Sequence, residues 1–209
     1  MKVVGTLLFI FLFVFISNAQ YEIKGKIKGL SNSEVYLAHY FGYNQQVIKD
    51  TVVANESGEF EFKGAEVLPK GLYLISFLKS KYIDVVMEDP HFSLSLDTTD
   101  ILRTITFENS AENTAFYAFQ RKMNELYTQL NQTSLSPVAR KNAQLEVQQF
   151  QQQWKKANAS LFVSKLIESS FDPEIPVYSG NLKSKADTTK MQVYQYQYYK
   201  KHYFDGMDL

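Results

Sequence analysis

Apolar residues recur at every second position from Tyr21 to about Phe107, the period of a strand with one face on a core and the other in water. Ile23, Gly25 and Ile27 alternate with Glu22, Lys24, Lys26 and Lys28, and the Gly29-Leu30-Ser31-Asn32 turn closes this first strand. Val35, Leu37 and His39 open a second strand, and Val47-Ile48 through Val52-Val53 form a third. Asn55-Glu56-Ser57-Gly58 predicts a tight turn, because Asn and Gly tolerate positive φ, and Phe60 and Phe62 then alternate with Glu59, Glu61 and Lys63. After Pro69-Lys70-Gly71, the run Leu72 to Leu78 is too continuous for simple alternation and predicts a strand buried on both faces. Tyr82 to Met87, His91 to Leu96 and Arg103 to Phe107 complete about eight strands, which predict a β-sandwich or strongly curved sheet.

Near Ser110 the period lengthens to about three and a half, so side chains share one stripe of a helix. Phe116, Phe119, Met123, Leu126, Tyr127 and Leu130 form that stripe, with Ser110 as cap and Asn113 in the first turn. A turn at Asn131 to Pro137 ends this helix, and Ser136-Pro137 starts a second. Val147, Phe150, Trp154, Ala157 and Leu161 give the second helix its packing stripe, and it is expected to run to Ser169-Ser170, before the helix-breaking Phe171 to Pro176 segment. The two form an antiparallel hairpin. Six glutamines lie within Gln144 to Gln153, and the apolar stripe between them marks a solvated helix face rather than a low-complexity tract. A polar stretch, Tyr178 to Lys190, leads to Met191 to Phe204, whose alternating Tyr and Gln fit strand or helix; helix is preferred. The fold class is therefore α+β: a sandwich over residues 20 to 108, then a helical region over residues 109 to 209 comprising a hairpin and a C-terminal helix.

The N-terminus adds a compartment. Lys2 precedes an apolar run from Leu7 to Ile16, shorter than the about 20 residues of a membrane span, and Ser17-Asn18-Ala19 follows as a cleavage-like motif. Residues 1 to 19 are thus expected to be a signal peptide cleaved after Ala19, with the mature chain in the periplasm or cell envelope and without stable membrane insertion. No Cys follows to accept a lipid.

Composition then narrows the chemistry. With no Cys, the chain has no disulfide, thiolate metal site, cysteine nucleophile or CxxC redox centre. Equal numbers of basic and acidic residues, 22 each, remove the electrostatic footprint of a nucleic-acid binder. His39, His91 and His202 are too far apart in sequence for local metal-ligand spacing. Asp84, Glu88 and Asp89, or Asp97 and Asp100, would form a calcium site or a glycosidase-like pair only if the fold made them converge; an enzyme of that class needs Asp84 and Asp97 in one cleft. No GxSxG, SxxK, GxGxxG or P-loop pattern occurs. These residues give no catalytic, cofactor-binding or metal site. The Tyr-rich C-terminal stretch is the candidate interaction surface: Tyr194, Tyr196, Tyr198, Tyr199, Tyr203 and Phe204.

The segments Ile23 to Leu30, Val35 to Ala38, Ile48 to Thr51, Gly58 to Gly64 and Pro69 to Tyr73 together resemble the N-terminal β-domain of exported thiol:disulfide interchange proteins of the TlpA-like, AhpC/TSA type. The resemblance covers residues 20 to 107. It implies a following helical segment, matching the region from Asn109 onward, and then a thioredoxin-like domain, so the chain is expected to be a truncated member whose helical region is incomplete. Because no CxxC is present, the resemblance brings no catalytic residue. It implies a non-catalytic binding or scaffolding module whose partner is a protein or the missing C-terminal domain. The alternative is a carbohydrate- or peptide-binding envelope protein that uses surface aromatics as stacking platforms.

Overall fold

The computed structural model describes residues 19–41, 45–132, 134–171, 173, 175–180, 182–203 and 205. The expected signal run, Met1 to Asn18, and Phe204 lie outside the described residues. Within them the chain forms eight strands in two sheets, followed by helices, an α+β fold.

The strands are β1 (Tyr21–Lys28), β2 (Glu34–Phe41), β3 (Gln45–Val53), β4 (Glu59–Gly64), β5 (Gly71–Phe77), β6 (Lys81–Met87), β7 (His91–Asp97) and β8 (Thr106–Glu108). One sheet has the order β4-β1-β7-β8 and the other β3-β2-β5-β6. β1 runs parallel to β7, and every other pairing is antiparallel. Alternation works as the sequence predicts in β1, where Tyr21, Ile23, Gly25 and Ile27 turn inward and the lysines outward. The core between the sheets joins Ile23, Ile27, Val35, Leu37, Phe62, Ile75, Phe77 and Val85. Gly25 is required by a close approach, since a Cβ there would lie 2.0 Å from the Phe60 ring. Gly58 sits at φ 76° in the turn before β4, where Asn55 Oδ1 accepts from the N–H groups of Ser57 and Glu59, each at 2.9 Å.

β5 is buried on both faces: Tyr73, Ile75 and Phe77 join the sandwich core, and Leu72 packs on the helices. The expected strand from Arg103 to Phe107 is divided. Ile101–Thr104 forms a short helix, α1, because Asp100 accepts from the Arg103 N–H, and only Thr106–Glu108 extends as β8.

The remaining helices are α2 (Ala111–Leu130), α3 (Pro137–Ala157), α4 (Phe162–Glu168) and α5 (Lys185–His202). Ser110 caps α2 by accepting from the Asn113 N–H, and Ser136 with Pro137 starts α3. Phe119 meets Phe150 and Trp154 with ring centroids 5.6 and 4.9 Å apart, which sets the first half of α2 against the last turns of α3, an antiparallel hairpin. The expected second helix does not continue to Ser169-Ser170. It ends at Ala157, where the Asn158 side chain donates to the Trp154 carbonyl, and Leu161 becomes the cap residue of α4. Ala157 is exposed rather than part of the packing stripe.

α2 carries two buried faces, which the single predicted stripe merges. Phe119, Met123 and Leu126 pack with Val147 and Trp154, while Asn113 and Tyr117 turn toward β6. Tyr127 consequently stands exposed. The α5 segment is a helix, and its capping box between Ser184 and Asp187 starts it within the expected polar stretch. Among the described residues no helix is long and apolar enough to cross a membrane.

Candidate interaction surfaces

The junction of sandwich and helices is a polar lock. β6 is an edge strand, so alternate main-chain groups on its outer side lack a ladder partner. Asn113, 0% exposed, supplies it: the Val86 N–H donates to Asn113 Oδ1 at 2.7 Å, and Asn113 Nδ2 donates to the Val86 carbonyl at 2.9 Å. One helix side chain thereby imitates a strand residue. Nδ2 also donates to Ser110 Oγ at 2.9 Å, and one turn later the Tyr117 hydroxyl donates to the Asp84 carbonyl at 3.0 Å. Burial raises the Tyr117 phenol well above its ordinary value, so it stays a donor. Glu112, beside Asn113, accepts from the N–H groups of Phe162 and Val163 at 3.0 and 2.7 Å and so caps α4 from another helix.

The outer face of the β3-β2-β5-β6 sheet carries an aromatic surface. Tyr36, Ser76 and Tyr82 are aligned across β2, β5 and β6, and Tyr82 is 57% exposed. Tyr40 donates its hydroxyl to Asp84 Oδ1 at 2.9 Å, and Tyr36 donates to Glu34. Burial raises the Asp84 carboxyl above the usual carboxylate range, with the Tyr40 hydrogen bond opposing it; burial and Asp84 together push Tyr40 up to about 12.

Asp84 and Asp97 do not converge. Ile83 and Val85 face the core, so Asp84 faces outward from its sheet, whereas Asp97 pairs with Lys28 at 2.8 Å on the outer face of the opposite sheet. The Lys28 ammonium, then the N–H and hydroxyl of Thr99, hold the Asp97 carboxyl well below the usual range. Asp100 caps α1. Glu88 binds Lys70 through Oε1 at 2.5 Å, while its Oε2 is buried without a partner. Asp89 lies 3.1 Å from His91 Nδ1. His39 bonds to the Tyr40 carbonyl, and His202 lies 2.5 Å from Asp205. Among the described residues, no three such side chains form a group able to hold a metal ion.

A depression of about 570 Å³ is lined by the polar Lys24, Lys26, Glu59, Glu61 and Ser93 and by Gly25, Phe60 and Leu94, with Val53 of β3 at its side. Its charges are matched within the sheet: Lys26 reaches Glu59 at 2.8 Å, and Lys24 reaches Glu22 at 2.5 Å and Glu61 at 3.8 Å. Its charged groups are thus solvated and neutralise one another.

α5 divides the predicted tyrosine surface between two sides. Tyr194, Tyr198 and His202, four residues apart, form a ladder that starts on Tyr178, with successive ring centroids 5.5, 6.3 and 4.2 Å apart. Val193, Tyr196, Tyr199 and Tyr203 follow the other side, where Tyr196 is 65% exposed and the Tyr199 and Tyr203 rings lie 5.4 Å apart. No described residue of α5 is buried, and no strand or other helix packs extensively against it. The sequence raised Asp84 only as a carboxylate to converge with Asp97 and Asn113 only as a first-turn residue; the Asn113 and Tyr117 contacts to β6 and the Tyr40–Asp84 hydrogen bond were not expected. For Asn113 the one local signal was the Ser110-x-x-Asn113 spacing, which spoke only of a cap.

A family model described as a domain of unknown function (DUF4369) matches residues 21–116. No curated protein matches the chain. Among solved structures, the chain is similar to one described as the crystal structure of (S)-allantoin synthase, with 13% identity and a TM-score of 0.32; the match covers 46% of this chain and 45% of that one, so this chain spans under half of that protein's length. The DUF4369 match begins at Tyr21 in β1 and ends at Phe116, so it takes in both sheets and also Asn113, the α2 residue that locks onto β6.

Proposed function

We propose that the protein is a non-catalytic binding or scaffolding module of the cell envelope, and that the outward stripe of α5, Val193, Tyr196, Tyr199 and Tyr203, is the surface that engages a protein partner. The observation that carries this is an 18-residue helix with aromatic residues on two sides and no buried residue among those described. In a protein a helix takes most of its stability from packing of an apolar face, and an exposed aromatic stripe gains that packing when a groove on a partner covers it. The resemblance to the N-terminal part of exported thiol:disulfide interchange proteins supports the envelope location and makes a thioredoxin-like domain or its client the expected partner class. A photo-crosslinking amino acid at Tyr196, compared with one at Glu61 on the self-neutralised sheet face, tests the reading in intact cells. A discrete protein adduct from position 196 alone is expected. No adduct from 196, or equal adducts from both positions, would refute it, and a mature chain that retains Met1 to Ala19 in the cytoplasm would refute the envelope location.

A second reading rests on the outer face of the β2-β5-β6 region. Tyr36 and Tyr82 flank Ser76, and Tyr40 and Asp84 form a hydroxyl–carboxylate pair nearby, the mixture of flat apolar rings and polar groups that stacks on and bonds to a sugar. A glycan array read with the wild-type chain and Tyr82→Ala separates the readings: binding lost in the variant supports this one, and an array without signal removes it.

A further inference from the structure

We infer that the outer edge of β3 pairs with β3 of a second copy of this chain, antiparallel about a twofold axis, joining the two four-stranded sheets into one. This goes beyond the α5 reading and uses a different part of the molecule. The other edges are less suited. β6 is covered by Asn113 and Tyr117, β8 has 3 residues, and β4 carries the charges of Glu59, Glu61 and Lys63. β3 is the longest strand, at 9 residues, and lies at a sheet edge with Ile48 58% exposed and Val47 and Val53 also exposed.

The register follows from hydrogen-bond alternation. The Ala54 N–H donates to the Ser33 carbonyl at 2.9 Å, so positions 33 and 54 form a bonded pair. Alternation then makes Val35/Val52 and Leu37/Asp50 bonded pairs and leaves the main-chain groups of Thr51 and Val53 pointing away from β2. The Thr51 N–H agrees, since it goes to Asp50 Oδ1 at 2.7 Å rather than to β2. A bulge follows: Leu37 pairs with Asp50 but Ala38 pairs with Ile48, so Lys49 is the extra residue. Beyond it, Ile48 and Gln46 face Ala38 and Tyr40, the unbonded positions of β2, and their main-chain groups also point outward.

The four outward residues are therefore Gln46, Ile48, Thr51 and Val53, a set symmetric about the midpoint between Lys49 and Asp50. In antiparallel self-pairing, Gln46 meets the partner's Val53 and Ile48 meets the partner's Thr51, with the Thr51 N–H exchanging Asp50 Oδ1 for the partner's Ile48 carbonyl. The side chains agree with the backbone. Val47, paired with His39, opposes the partner's Val52, which packs on the sandwich core, and Lys49 opposes the partner's Asp50, whose Oδ2 holds the Tyr21 hydroxyl and whose Oδ1 is released when Thr51 pairs across the junction. A bulge at an edge normally discourages pairing with another strand. Here the same bulge in both copies keeps the inner and outer faces continuous across the junction. The contact is isologous and closes at two copies.

The chain has no cysteine, so introduced thiols report the register without interference. Gln46→Cys and Val53→Cys are made as separate full-length chains. The two positions form a bonded pair whose expected Cα separation, about 5.5 Å, suits a disulfide. On mild oxidation the mixture is expected to form a disulfide dimer and each variant alone to remain monomeric, while sedimentation equilibrium of the wild-type chain shows twice the monomer mass as concentration rises through the micromolar range. Thr51→Pro, which removes an N–H that β2 does not use, is expected to abolish the dimer while circular dichroism stays native-like. A wild-type chain that stays monomeric at millimolar concentration, cross-linking by either variant alone as fast as by the mixture, or a folded Thr51→Pro chain that still dimerises would each overturn the inference.

Discussion

Replacing Asn113 by Ala tests the junction between sandwich and helices. Three hydrogen bonds of the side chain are lost, and two of them satisfied the N–H and carbonyl of Val86, itself fully buried. An unsatisfied buried main-chain group costs about 1–3 kcal/mol, so the pair costs about 2–6 kcal/mol. The smaller side chain also leaves a cavity that water fills in part, and that relief places the expected loss near 3 kcal/mol. Against a total stability of about 5–15 kcal/mol for a domain, this is a large fraction. Guanidinium unfolding followed by Trp154 fluorescence measures it, because Trp154 is buried among the helices, and far-ultraviolet circular dichroism follows the helices and strands together. The variant is expected to lose the fluorescence signal at lower denaturant than the wild type. A loss under about 1 kcal/mol would show that α2 does not depend on imitating a strand residue, and the reasoning would fail.

Three further predictions follow from other contacts. Glu112→Ala removes the carboxylate that accepts from Phe162 and Val163, and the loss of such a cap is expected to cost about 1–2 kcal/mol in the same unfolding assay; an unchanged midpoint would contradict it. Gly25→Ala drives a methyl group into the Phe60 ring, and overpacking of about 1–3 kcal/mol is expected to lower the melting temperature, whereas Lys24→Ala beside it should not. Asp84 has a carboxyl raised by burial, so its contribution to stability is fully present below the ordinary carboxylate range and is lost as pH rises through its raised folded value. Asp84→Asn keeps an acceptor for Tyr40 without the ionisation. Its melting temperature is expected to exceed that of the wild type at neutral pH, with the gap closing in acid; a gap that is constant with pH would contradict the assignment.

The strands with one wet face were legible because their residues report burial locally: the alternation of Ile23, Ile27, Phe60 and Phe62 with charges is sufficient to place β1 and β4. Ser110 and Ser136 likewise announce α2 and α3 through cap chemistry within three residues. The lost features depend on distant partners. Asn113 reads as a polar first-turn residue until β6, 27 residues away, is laid against it, and Asp84 gains its raised carboxyl from a burial that no neighbour in sequence reveals. The end of α3 at Ala157 depends on Glu112 starting α4, a contact across 50 residues. The tyrosines of α5 were identified as aromatic surface, but their division between a self-packed ladder and an outward stripe needed the helix phase and the position of Tyr178. The edge of β3 gave no signal, because an exposed edge and a central strand share the same Val and Ile residues until their neighbours are known.

Hydrogen–deuterium exchange of the purified chain, read peptide by peptide, tests most directly whether α5 is an open surface. α2 is pinned to β6 and α3, so its amides should be protected at close to the global stability, while α5, with no described residue buried, should exchange through local opening many times faster. Protection of α5 equal to that of α2 would mean that the helix is already packed against the body of the protein, and would contradict the claim that its Val193 and Tyr196 side is open.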